Sequence, residues 1–266
     1  MKRIVTALVL GGAVVVTVLW APAVVGTSLT AVFSVIAVGE LAHLVRARGQ
    51  ELPVAFISVC AIIMIMAAWL GGMAWLFFSL AGSIAVLIFF RVVAGEVSGS
   101  LAVISFSVFA LIYPPWLLAH VPLMLTSAGG RRALLFLLVV IWTCDSAAFF
   151  VGSSMGKRKL LESVSPNKTV EGAVAGMLSA PVVAVVFSAS GFIDWSIGFA
   201  VIIGLVTAFL GQVGDLAESM VKRDAGVKDS GTLIPGHGGV LDRIDALLFA
   251  IPVFFYMILL FGGGFG

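Results

Sequence analysis

The chain has 266 residues, of which 61% are apolar and only 11% are charged, with a formal net charge of +2. Soluble globular domains carry about 45–50% apolar and about 25% charged residues, so this composition excludes a soluble enzyme and a disordered chain. Long continuous apolar runs also exclude a transmembrane β-barrel, whose strands would alternate apolar and polar residues. The sequence therefore predicts an all-α, polytopic integral membrane protein whose chemistry lies in the helices or in short loops.

Nine apolar runs, each long enough to cross a bilayer, follow one another along the chain. A cytoplasmic N-terminus then places thirteen of the 15 Lys and Arg residues inside and only Arg131 and Arg132 outside, which supports the count and the orientation. Residues 1–23 have some features of a cleaved signal peptide, but their apolar run is long for one, so we expect a retained helix. The predicted spans lie at about 4–25, 28–45, 52–70, 73–91, 99–119, 133–153, 171–191, 196–217 and 245–262.

The distribution of motifs divides the chain near residue 130. Residues 1–130 hold spans one to five and are expected to face lipid or a second copy of the chain in a homodimer. Residues 131–266 hold spans six to nine and are expected to carry the catalytic groups. Two predicted cytoplasmic segments, at about 154–170 and 218–244, are longer than the other loops and hold most of the motifs.

The segment at about 218–244 combines glycines with clustered charge. Gly236, Gly238 and Gly239 surround His237, and backbone without side chains can approach a ligand closely. Successive backbone N–H groups there can form an anion-binding nest. Four cations suited to binding several phosphates lie in or beside this segment: Lys222, Arg223, Lys228 and Arg243.

Acidic residues lie in the apolar runs that flank this segment. Asp242 and Asp245 lie three residues apart at the start of span nine, and acids inside membrane spans are functional-site candidates by default. Span eight carries four polar residues that share one helix face because their offsets are 3, 4 and 7 residues: Asp215, Glu218, Ser219 and Lys222. Hard oxygen ligands from converging helices suit Mg²⁺, with a second cation as an open alternative. We expect the metal ligands to be Asp145, Asp215, Asp242 and Asp245, whereas a competing interpretation makes such acids ion-pair partners of Lys222 and Arg243.

Lys168 lies beside the predicted N-terminus of span seven, which is a favourable place for an anion. In the same segment Thr169 is expected to cap the helix, with Glu171 in its first turn.

Other polar residues have plainer interpretations. Glu40 and His43 are expected to form a pair at the interfacial end of span two. We expect structural roles for His120 and for the two cysteines, Cys60 and Cys144.

The segment Ser219–Asp245 resembles the signature of phosphatidate cytidylyltransferases, also called CDP-diacylglycerol synthases. The segments Asp145–Phe149 with Gly156-Lys157, and Ser165–Gly172, resemble two further motifs of that family, although Phe149 stands where tyrosine is common. The first 130 residues are similar only in being apolar spans. The fixed positions of the signature are matched by Ser219, Lys222, Arg223, Lys228, Asp229, Pro235, His237, Gly238, Gly239, Asp242, Arg243 and Asp245.

The resemblance implies transfer of the cytidylyl group of CTP to phosphatidic acid, giving CDP-diacylglycerol and pyrophosphate for phospholipid synthesis. It implies an active site on the cytoplasmic side of a bacterial-type inner membrane, a homodimer in the lipid bilayer and no nucleic-acid partner. The catalytic residues are then expected to be Asp215, Asp242, Asp245, Lys222, Arg223 and His237. The substrate-binding residues are expected to be Lys168, Ser219, Lys228, Arg243, Gly238 and Gly239.

Three other functions compete with this interpretation. A CTP-dependent membrane lipid or polyprenol kinase would transfer the terminal phosphate instead. A cation transporter would use Glu40, Asp145 and Asp215, although it would have little need for a glycine-rich loop. A CDP-alcohol phosphotransferase would need an Asp-Gly-x-x-Ala-Arg motif, which the sequence lacks.

Overall fold

This computed structural model describes residues 2–95, 97–231 and 238–262. The described chain is helical except for one small hairpin and short connections. Its elements are α1 (Lys2–Trp20), α2 (Ala23–Ala47), α3 (Val54–Ala94), α4 (Ser100–Leu111), a π-helical turn (Ile112–Trp116), α5 (His120–Thr126), α6 (Gly130–Met155), β1 (Lys159–Leu161), β2 (Ser165–Thr169), α7 (Val170–Ala189), α8 (Ile197–Asp224) and α9 (Leu241–Phe261).

Seven helical stretches in the described residues are long and apolar enough to cross a membrane: α2, α3, the run from α4 to α5, α6, α7, α8 and α9. This confirms the predicted all-α, polytopic class. Helix α3 spans 41 residues and is broken at Gly72, whose φ of 69° and ψ of −158° lie outside the helical region. The break falls between predicted spans three and four, and glycine tolerates this backbone conformation. The count of nine crossings and the cytoplasmic N-terminus stay predictions.

Glycines let the motif-bearing helices pack closely. A Cβ atom added at Gly172 of α7 would lie 2.6 Å from the carbonyl oxygen of Ala148 in α6. On α8, a Cβ atom at Gly214 would overlap the carbonyl oxygen of Asp245 in α9. Because these helices touch backbone to backbone, polar side chains next to the glycines are held a short distance apart.

The predicted loop at about 154–170 contains an antiparallel hairpin of β1 and β2, with Lys159 paired to Thr169 and Leu161 to Ser165. The ammonium group of Lys159 donates to the carbonyl oxygen of Pro166 at 2.6 Å. These strands were not predicted, because five residues including a proline carry almost no alternating pattern. The hairpin makes the connection between α6 and α7 an ordered element at the site.

The two predicted outer cations have structural partners. Arg131 Nη1 donates to the carbonyl oxygens of Val18 at 3.0 Å and Ala21 at 2.7 Å, which bind the last turn of α1 to α6. The guanidinium of Arg132 lies 6.0 Å from the ring centroid of Phe192. These contacts explain why cations occur at this end of the bundle.

The plain interpretations of three residues are confirmed. His120 is fully buried, and its Nε2 lies 3.3 Å from the Tyr256 hydroxyl. Cys60 and Cys144 are buried free thiols.

Candidate active site

The site lies where the ends of α2, α6 and α8 meet the starts of α7 and α9. Lys168 of β2 forms an ion pair with Asp215 of α8 at 2.6 Å. Glu40 of α2 reaches the backbone N–H of Leu241, which begins α9, at 2.7 Å. The hairpin, α8, α9 and α2 therefore meet at one end of the bundle, which brings the two predicted motif segments together.

Lys222 forms the centre of a buried charge cluster. Its ammonium group forms ion pairs with Glu218 and, at 2.5 Å, with Asp242 Oδ1. The Glu218 side chain is fully buried, and the side chains of Lys222 and Asp242 are 11% and 10% exposed. The predicted shared face of α8 accounts for the pair of Glu218 and Lys222. Lys222 thus forms ion pairs with one acid of its own helix and with one acid of α9.

The carboxylate of Asp242 also organises the loop between α8 and α9. Its Oδ2 accepts from the backbone N–H of Ser230 at 3.1 Å and from that of Gly239 at 2.7 Å. The Ser230 hydroxyl lies 2.9 Å from the same oxygen. Both oxygens of Asp242 therefore have protein partners, as the ion-pair interpretation expected.

The carboxylate of Glu40, on α2, binds the same loop. Its predicted role as an interfacial pair with His43 is therefore wrong. Its carboxylate accepts from the backbone N–H groups of Val240 at 2.9 Å and Leu241 at 2.7 Å. The Ser230 hydroxyl lies 3.1 Å from Glu40 Oε2. Glu40 is 9% exposed, whereas His43 is exposed. The amide of Gly239, which belongs to the predicted anion nest, thus binds the internal carboxylate of Asp242, and the next two amides bind Glu40.

Sequence reasoning missed Glu40 because its partners lie about 200 residues away in the chain. A local signal did exist. Glu40 occupies the same helix face as Ala37 and Leu44, which are almost fully buried. An acid at that spacing on an apolar face needs hydrogen-bond donors from elsewhere in the fold.

The start of α7 has the predicted cap. The side chain of Thr169 accepts from the backbone N–H of Gly172 at 3.1 Å. Glu171 Oε2 accepts from the backbone N–H groups of Lys157 and Arg158 at 3.1 Å and 3.2 Å. Glu171 therefore links the start of α7 to the connection between α6 and β1, in addition to lying in the first helical turn.

Three of the predicted metal ligands lie on three different helices and interact electrostatically: Asp145, Asp215 and Asp245. Asp245 Oδ1 accepts from the backbone N–H of Ala246 at 2.7 Å. Among the described residues, no three His, Cys, Asp or Glu side chains form a group that could hold a metal ion. The binding of Mg²⁺ by these acids stays a prediction.

The remaining predicted residues surround this cluster. Arg223 Nε donates to the carbonyl oxygen of Val164 at 3.3 Å, so it joins α8 to the hairpin turn. Ser219 is buried, whereas Lys228 and Arg243 are exposed. Gly238 has a φ of 77°, in the left-handed region, and Gly239 donates to Asp242. His237, Gly236 and Pro235 lie outside the described residues. The substrate-binding roles of this set stay predictions.

Comparison with known proteins assigns the family. Residues 1–261 match the profile of the cytidylyltransferase family. The chain belongs to this family. The membership predicted from the motifs in spans six to nine is therefore confirmed over almost the whole chain.

Several curated relatives share parts of this sequence. A phosphatidate cytidylyltransferase of Bacillus subtilis (strain 168) is 46% identical over 132 residues, which cover 50% of this chain and 49% of the relative. One of Haemophilus influenzae is 47% identical over 131 residues, covering 48% and 46%. The uncharacterized protein YnbB of Escherichia coli (strain K12) is 40% identical over 193 residues, covering 69% and 62%. The chain spans about half the length of the first two relatives.

Proposed function

We propose that this protein transfers the cytidylyl group of CTP to phosphatidic acid and releases CDP-diacylglycerol and pyrophosphate. The observation that carries the proposal is the family match over residues 1–261. Its relatives at 46% and 47% identity are named phosphatidate cytidylyltransferases. The polar cluster at one end of an apolar bundle gives the reaction a place where a water-soluble nucleotide meets a lipid.

The chemistry demands little covalent assistance from the protein. A phosphate oxygen of phosphatidic acid forms a bond to the α-phosphorus of CTP. The bond from that phosphorus to the bridging oxygen breaks, and pyrophosphate leaves with the electron pair. Catalysis of such a transfer consists mainly of positioning and of neutralising charge on the transferring phosphate.

Side chains of the described site suit this work. Lys228 and Arg243 are exposed near the loop that joins α8 and α9, where they can reach the phosphates of CTP. Arg223 is held between that loop and the hairpin by its bonds to Val227 and Val164. Lys168 is paired with Asp215, so exchange of this partner for a phosphate would couple substrate binding to the acids.

Mg²⁺ belongs to the proposal on the chemistry of the donors alone, since the described residues do not form a ready metal-binding group. Asp145, Asp215 and Asp245 offer only carboxylate oxygens, which Mg²⁺ prefers, and they come from three helices. Asp242 would be a weaker candidate because Lys222, Ser230 and Gly239 already occupy its oxygens. When bound, the ion would neutralise charge that develops on the phosphates.

We place the active site on the cytoplasmic side, where CTP is available. The support is the charge distribution, since the predicted inner end holds thirteen of the 15 Lys and Arg residues. Lipid would reach the site sideways between helices, with its phosphate at the interface. A fusion reporter attached after Asp224 or Glu51 would test this, because an outward location of either position contradicts the assignment.

The deciding experiment uses the purified chain with phosphatidic acid, Mg²⁺ and CTP labelled in either the α- or the γ-phosphate. Transfer of the α-label into a lipid, with the γ-label released as pyrophosphate, is the expected result. Transfer of the γ-label into a lipid would establish a CTP-dependent kinase instead. If neither label enters a lipid and the chain conducts cations across liposomes, the result would support a transporter.

A further inference from the structure

We propose that Glu40 of α2 is a positioning residue of the active site, which holds the two described ends of the loop between α8 and α9, at residues 225–231 and 238–240, in their working conformation. The inference deepens the proposed cytidylyltransferase function and rests on it for its kinetic test. Glu40 lies in the part of the chain that matches the family motifs only as apolar spans. Its three hydrogen-bonding partners nevertheless belong to the signature segment: Ser230, Val240 and Leu241.

The glycines of the segment leave room for this carboxylate. A Cβ atom added at Gly231 would lie 2.6 Å from Glu40 Oε1. A Cβ atom added at Gly239 would lie 2.5 Å from both Glu40 oxygens. Real Cβ atoms do not approach oxygen so closely, so a side chain at either position would displace the Glu40 carboxylate from its present place.

Hydrogen bonds lead from Glu40 to the charge cluster. The Ser230 hydroxyl lies 3.1 Å from Glu40 and 2.9 Å from Asp242, so its single proton can be donated to either carboxylate. Asp242 in turn accepts from Lys222 at 2.5 Å. Displacement of the loop from Glu40 would therefore shift Asp242 and the exposed cations nearby, and small misplacements at a reacting centre cost large factors in rate.

Packing of α2 fixes the position of this carboxylate. Its neighbours on the helix, Ala37, Leu41 and Leu44, are buried in the core, so α2 cannot rotate or slide easily. The two backbone donors, Val240 and Leu241, lie at the N-terminus of α9, where a negative charge is also favoured by the helix dipole. A carboxylate on a rigid helix thus fixes where α9 begins.

Glu40→Gln tests the inference because it keeps the shape of the side chain but replaces one acceptor oxygen with an NH₂ group. That group would face an N–H donor of the loop. Glu51→Gln is the matched control, since Glu51 is exposed in the connection that follows α2. We expect Glu40→Gln to lower kcat/KM for CTP about 10-fold or more per folded molecule, as substitutions of supporting residues commonly do. Glu51→Gln should match the unsubstituted chain.

A second measurement separates this inference from the proposed activity. Lys228 is exposed in the loop and offers a trypsin site. Cleavage after Lys228 should become faster in Glu40→Gln and stay unchanged in Glu51→Gln, whether or not the chain makes CDP-diacylglycerol. If the unsubstituted chain has no activity but Glu40→Gln is still cleaved faster than Glu51→Gln, the proposed function is refuted and the positioning role stands.

Two outcomes would overturn the inference. One is equal cleavage rates and equal kcat/KM in Glu40→Gln and Glu51→Gln. The other is a loss of activity that only follows the loss of folded protein, with normal kinetics and normal cleavage in what remains. If Glu40→Gln does not fold, Glu40→Asp replaces it, because the shorter carboxylate keeps both acceptors but withdraws them from the loop. The cleavage rate and kcat/KM of Glu40→Asp are then compared with those of Glu51→Gln in the same way.

Discussion

Two buried carboxylates, those of Glu218 and Asp242, share the ammonium group of Lys222. A buried charge that loses its partner costs about 3–5 kcal/mol, because neither water nor another ion replaces it. We therefore expect Lys222→Met to lower the apparent melting temperature of the purified protein clearly, as well as its activity. Differential scanning fluorimetry in detergent measures the change.

A second substitution separates charge from packing at Lys222. Combining Lys222→Met with Glu218→Gln removes the buried negative charge of Glu218 that the first change leaves uncompensated. The double variant should recover part of the lost melting temperature. A double variant no more stable than Lys222→Met would show that the stem of the lysine, and not its charge, stabilises the cluster.

Asp215 connects the two motif segments through its ion pair with Lys168 at 2.6 Å. Asp215→Asn preserves shape and a hydrogen-bond acceptor but removes the charge that both Lys168 and a bound cation would require. We expect a rate loss of at least about 100-fold, or about 3 kcal/mol in activation free energy. Asp194→Asn, at an exposed position between α7 and α8, is the control and should leave turnover unchanged. Near-normal turnover of Asp215→Asn would remove its proposed role in catalysis.

Contact between α8 and α9 depends on the absence of a side chain at Gly214, since a Cβ atom there would overlap the carbonyl oxygen of Asp245. Gly214→Ala forces the helices apart, and overpacking of this kind costs about 1–3 kcal/mol. We expect lower melting temperature and lower activity together. Gly198→Ala is the matched control on the same helix, because a Cβ atom there meets nothing within 4 Å. Equal behaviour of the two variants would contradict this account of the contact.

The helices of this fold were easier to predict from sequence than the contacts between them. Apolar runs of about 20 residues need no partner to be recognised, and even the break at Gly72 falls between two predicted spans. The hairpin at 159–169 escaped prediction because its strands are short and carry no pattern. Lys222 and Glu218 were placed together by helical spacing within α8. The contacts of Glu40 were not predicted, because the local sequence does not reveal which distant backbone amides a buried acid will bind.

In the structure, the predicted division near residue 130 does not separate the site completely from the N-terminal helices. The predicted assignment gave the motifs to residues 131–266, and all the signature residues do lie there. Helix α2 nevertheless contributes Glu40 to the loop of that half, and Arg48, at the C-terminal end of α2, forms an ion pair with Asp224 at 3.3 Å. Helix α2 therefore takes part in building the site, whereas α3, α4 and α5 stay candidates for a purely lipid-facing or dimer-forming role.

We predict a homodimer that uses these helices, with two separate active sites. The second half of α3 has an exposed face that includes Phe78 and Val93, and a Cβ atom at Gly82 would meet nothing within 4 Å, so another helix can approach closely there. The described site is built from elements of one chain, and a symmetric pair would leave each copy intact.

Mixing active chains with Asp242→Asn chains tests both parts of this prediction. Two different affinity tags first show whether mixed pairs form, and mass measurement in detergent and in bilayers gives the number of chains. Activity per active chain should stay constant as the inactive fraction rises, because no site is shared. Activity that falls with the square of the active fraction would show shared or coupled sites, and a single-chain mass in both environments would exclude the dimer.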